Sequence, residues 1–205
     1  MSESFGDLSF PMMAAAGVAV HLGLGQRALT IGELALERNT AMGADGSESR
    51  ITLALAHCQI GQPDEALALL EEVAVETPYC CSVRALAQAL TGDHDGAVAD
   101  AQAVADDAGS SYLDCVIADI AAAGAEIGAG DADAATRYLG RARATALEAG
   151  DVVARELVTA AHEAMLAEPH RNESDHLGVG WRSVVEALGV GSAERVTAAT
   201  DEPVR

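Results

Sequence analysis

Lysine is missing from this 205-residue chain: all twelve basic residues are arginine, set against thirty-two acids, for a net charge of −20. A uniformly acidic surface repels phosphate backbones and anionic lipid headgroups, so neither nucleic acid nor a membrane surface is expected as a partner. Aromatic residues are scarce too, at 3%: one Trp, three Tyr and two Phe. Sandwiches and barrels draw heavily on Val, Ile, Thr, Tyr and Phe, and this shortage argues against a β-architecture. No run of about 18 apolar residues occurs, so no segment reads as membrane-spanning. The opening MSESFGDLSFPMMAAAGVAV carries acids and no basic cluster, unlike a secretory signal. Only four cysteines are present, Cys58, Cys80, Cys81 and Cys115, in a chain that is half apolar. They read as reduced thiols of a cytoplasmic protein rather than a disulfide framework.

What remains in quantity is alanine, the strongest helix former and small enough to let helices approach closely. The composition therefore reads all-α. Residues 61–78, GQPDEALALLEEVAVETP, show how the helices are organised. Pro63 suits a first turn, and Asp64 and Glu65 complement the helix N-terminus. Ala66, Leu69, Leu70 and Val73 then form an apolar stripe at i, i+3, i+4 and i+7. Thr77-Pro78 reads as the stop, because a residue before proline avoids the α region. The preceding stretch SRITLALAHCQI is a second amphipathic segment, with Ser47 or Ser49 as its cap and Gly61 as the turn between the two. The unit is a helical hairpin.

The same grammar recurs. Glycine is followed five residues later by alanine at Gly23/Ala28, Gly61/Ala66, Gly92/Ala97 and Gly130/Ala135. Four residues beyond each alanine stand Gly32, Leu70, Ala101 and Leu139, and three further on Ala35, Val73, Val104 and Ala142. The alanine fits where two helices cross, and the later apolar positions would face the next hairpin. A single hairpin cannot bury its own apolar face, so such units stack.

This grammar resembles the tetratricopeptide repeat family. Residues 47–80 carry it best, with Leu53, Ala54, Gly61, Ala66, Leu70, Val73 and Pro78 at the family's spacing, although Arg50 and His57 stand where its first-helix aromatics belong. The likeness spans roughly residues 9–150. It implies a right-handed superhelix of about four helical hairpins, with C-terminal capping helices. The array would occupy residues 1–167, a polar linker 168–178, and short C-terminal helices with a frayed tail 179–205. Asp151 to Leu166 reads as one more helix, and Trp181 as an anchor for the segment that follows onto the array's end.

The resemblance also implies that the first helix of each hairpin lines a concave face. That face would carry Phe10, Met13 and Val20, then Ile51, Leu55 and Cys58, then Leu86 and Leu90, and finally Ile117, Ile120 and Ile127. Such a groove is apolar. It fits the apolar face of a protein or peptide partner, its flanks basic to match the acidic surface. The alternative is that neighbouring helices bury these residues. Chaperone-tail binders of the family use Lys, Arg and Asn on this face, and that set is lacking here. Degenerate, alanine-rich arrays of this kind are similar to those attached to bacterial signalling proteins. The expected function is a non-catalytic interaction scaffold in a signalling or regulatory complex, with self-association as a further use. A sensor of an apolar small molecule in the groove is the alternative.

Readings that carry chemistry are weaker. Gly23-Leu24-Gly25-Gln26-Arg27-Ala28 matches a dinucleotide fingerprint, with Val18–Leu22 as its strand and Asp45 as the ribose contact. No further strands follow to build the sheet. His57 and the four cysteines include zinc-ligand types but lack a C-x-x-C spacing. His162 with Glu163, and His170 with Asp175 and His176, have no nucleophile motif nearby and read as surface residues. No catalytic, metal or cofactor site is therefore expected.

Overall fold

The computed structural model describes residues 9–166; the linker and C-terminal helices expected at 168–205 lie outside them. Within the described residues the fold is all-helical. Four hairpins are formed by α1 (Ser9–His21) and α2 (Gly25–Ala41), α3 (Ser47–Gln59) and α4 (Pro63–Glu71), α5 (Pro78–Thr91) and α6 (His94–Asp106), and α7 (Tyr112–Ala129) and α8 (Ala132–Ala149). A single helix, α9 (Val152–Leu166), follows. No helix among the described residues is long and apolar enough to cross a membrane.

Each hairpin turns on its glycine. Gly92 and Gly130 sit at φ 86° and 88°, left-handed backbone that a side chain disfavours. The alanines five residues on, Ala28, Ala66, Ala97 and Ala135, are all buried at the crossing of the two helices. Ala35, Ala101, Val104, Leu139 and Ala142 are buried as well. At Gly32 an added Cβ would lie 2.8 Å from Leu53 Cδ2, so glycine there lets α2 close onto α3.

Packing follows chain order. Every second helix of a hairpin lies on the first helix of the next, as α2 on α3, α4 on α5, α6 on α7 and α8 on α9. First helices also touch one another, α1 to α3, α3 to α5, α5 to α7 and α7 to α9. One core results, running from Ala19 and Val20 through Leu86 and Ile120 to Val158 and Ala161. A smaller cluster of Ala101, Val104, Ala118 and Ala122 joins α6 to α7.

The helix starts are well marked. Thr77 caps α5 by accepting from Cys80 N at 3.2 Å, and Asp93 and Asp131 cap α6 and α8 in the same way. Ser111 and Asp114 form a reciprocal capping box at α7. Two local expectations need correction. Helix α4 ends at Glu71, and Thr77-Pro78 begins α5 rather than ending α4, because proline at a first turn lacks only a hydrogen that would be unpaired anyway. Gly46, not a serine, is the cap residue of α3; Ser49 is buried inside the helix and accepts from Asn39 Nδ2 at 3.1 Å.

Candidate functional site

The residues expected along a concave groove are packed into the core. Val20, Ile51, Leu55, Cys58, Leu86, Leu90, Ile117 and Ile120 are all buried, Met13 and Ile127 are half-buried, and only Phe10 is exposed. The cause is the alanine content of the first helices. Ala54, Ala56, Ala85, Ala87, Ala121 and Ala123 have no exposed surface, and such small side chains let α3, α5 and α7 close on their neighbours. The alternative of burial by neighbouring helices is the one found.

A side-chain contact joins the end of α1 to the residue that precedes α9. Asp151 caps α9, its Oδ1 accepting from Val153 N at 2.8 Å and Ala154 N at 3.1 Å. Its Oδ2 accepts from the Tyr112 hydroxyl of α7 at 2.9 Å and lies 3.2 Å from Nε2 of His21, the last residue of α1. Burial alone would raise the Asp151 carboxyl; its partners, led by the Ala154 N–H and the Tyr112 hydroxyl, outweigh that and hold it below the ordinary value.

Ion pairs join neighbouring helices at two further places. Asp119, buried on α7, is gripped through both oxygens by Arg141 of α8, and Arg141 stacks 5.0 Å from the Tyr138 ring. Burial pushes Asp119 up, with Arg141 opposing. A cleft of about 390 Å³ opens beside the pair, with Ala101, Val104, Cys115 and Thr145 among its walls. Arg84 of α5 binds Asp100 through two nitrogens, each at 2.7 Å, and reaches Glu76 at the same distance. Both arginines are engaged, so neither is presented as a free anion receptor.

Burial also pushes all four thiols up, Cys58 most, which keeps them protonated rather than nucleophilic. Among the described residues, no three His, Cys, Asp or Glu side chains converge. The dinucleotide reading fails on structure. Val18–His21 belongs to α1, not to a strand, and an added Cβ at Gly25 would lie 3.0 Å from both Gln59 and Ile60, so packing fills the space a pyrophosphate would need. His162 and Glu163 are exposed on α9.

One surface stands out instead. On α1, Phe10 and Val18 are 77% and 59% exposed, Ala14 between them is exposed too, and Leu22, just past the helix end, is 38% exposed. Together they form an apolar stripe of four-residue spacing, about 20 Å long. Counting back from the turn glycines, Ala14 and Val18 correspond to Thr52 and Ala56 in α3, Val83 and Ala87 in α5, and Ala121 and Ala125 in α7. All six of those residues are buried, because the preceding hairpin packs on them. In α1 the equivalent face has no cover among the described helices. The last described helix differs: α9 turns Arg155, Glu156, Thr159, His162 and Glu163 outward. The α1 face was missed in the sequence, although α1 has His21 as its one ionisable side chain, and a helix apolar all round expects cover on every side. Comparison of the chain with family models, curated proteins and solved structures finds no match.

Proposed function

We propose that this chain is a tetratricopeptide-like repeat protein that binds another protein and carries out no chemistry itself. On this reading the hairpins continue one another as a right-handed superhelix, and the protein works in the cytoplasm within a signalling or regulatory complex. The observation that carries the reading is the uncovered α1 face. Its counterparts in α3, α5 and α7 each receive a helix of the preceding hairpin, so the ligand it fits is an amphipathic helix with an apolar stripe. Basic flanks on that helix would suit a chain of net charge −20. The binding surface is thus moved from the inner positions to the end of the array.

Capture of partners from the native lysate, with Val18→Asp as the control, tests this. Val18 is 59% exposed, so the substitution leaves the core intact. A partner retained by the parent and lost by the variant is the expected result. Equal capture by both proteins would exclude the α1 face.

A further inference from the structure

Among the described residues the apolar face of α1 has no cover, which raises the question of its occupant. Two occupants can be set aside on chemistry. A second copy stacked head to tail would lay Glu156, Thr159, His162 and Glu163 of α9 across Val18, burying charges without partners. Two α1 faces paired symmetrically would each contribute one side of a 13-residue helix, on the order of 200 Å² against the roughly 800 Å² per partner of a stable interface.

The chain itself supplies a better match. Beyond Leu166 its sequence continues for 39 residues, in which Trp181, Val184, Val185 and Leu188 recur at i, i+3, i+4 and i+7. We propose that this segment, residues 181–188, is the cover of the apolar face of α1.

Three observations place it there. The Asp151–His21 contact sets the start of α9 beside the end of α1, so the C-terminal segment departs from a helix that begins at α1. Helix α9 is about 22 Å long. The fourteen residues 167–180 reach as far as ~46 Å, so residues 181–188 can arrive anywhere along α1. The third observation is charge. At the Phe10 end of α1 a cleft of about 440 Å³ is lined by Phe10, Met13, Ala14, Asn39, Asp45 and Glu48. An indole suits its apolar wall, and the neighbouring residue in the sequence, Arg182, has the charge to match the two carboxylates. The inference rests on the exposure of α1 and stands whether or not a partner protein is found. A partner that uses this face competes with the chain's own tail.

Trp181 is the one tryptophan in the chain, so its fluorescence in the full-length protein reports this contact alone. Blue-shifted emission and weak acrylamide quenching are expected, and Val18→Asp should shift the emission to that of solvated indole and raise quenching several-fold. Far-UV circular dichroism verifies that helix content is kept; if Val18→Asp loses it, Phe10→Ser, at a residue 77% exposed, takes its place. Solvated emission in the parent, or shielding that both variants leave unchanged, would overturn the proposal. Shielding that disappears on dilution together with a dimer seen by sedimentation would also overturn it, and would assign the face to a second copy.

Discussion

Buried alanine is the residue on which each hairpin depends. Ala66 and Ala135 have no exposed surface and stand where two helices cross, so a larger side chain there must push the helices apart. Ala66→Leu should cost about 1–3 kcal/mol in urea denaturation, whereas Ala68→Leu, exposed on the same helix, should stay within about 0.5 kcal/mol. Equal effects would show that the crossing is not tight. A second residue-scale test concerns Asp151. Its folded-state value lies below the ordinary aspartate value of about 4, so the stability it contributes is present above that pH and is lost as pH falls through the folded value. Asn still caps the helix but lacks the charge, so the melting temperature of Asp151→Asn should trail the parent at neutral pH by the equivalent of about 0.3–1 kcal/mol, the worth of a carboxylate at a helix N-terminus, and the gap should close in acid. A gap that persists at pH 2 would mean that the carboxylate charge is not its source.

At the scale of elements, ion pairs tie the two helices of a hairpin together at matching places. Arg50 and Glu72 stand eleven residues before and after Gly61; Asp119 and Arg141 stand eleven before and after Gly130. The polarity is reversed between the two hairpins. Were α3 to pair with α8, Arg50 would face Arg141, and α7 on α4 would set Asp119 against Glu72. The reversal thus penalises the wrong pairings in a chain of similar units. The two pairs differ in burial: Glu72 is 65% exposed and Asp119 only 4%. Arg50→Glu should therefore cost within about 1 kcal/mol, and Arg141→Glu about 3–5 kcal/mol, because it leaves a buried carboxylate facing another. Chemical denaturation of the two variants decides it, and comparable losses would refute the distinction.

For the whole molecule, much of the fold was legible because it rests on local signals. The glycine–alanine spacing marks turns and crossings, and the structure places left-handed glycines and buried alanines at those positions. Pro63 and Pro78 both read correctly as helix signals, but Pro78 was assigned to the wrong helix, since proline suits the start of one as well as the residues after another. The groove was not legible. Whether Leu55, Leu86 and Ile120 face a channel or a neighbour depends on how far first helices close on each other, a distance that no single hairpin's pattern contains. The bare face of α1 escaped for a related reason: an apolar helix announces that it wants cover without saying whether it receives any. The first and last described helices are consequently unlike. One carries the acceptor side of every internal joint, and the other is finished with charge. The architecture is therefore extensible in one direction: further hairpins spliced ahead of Ser9 would meet a surface already shaped to seat them, while units appended along the outer side of α9 would find none.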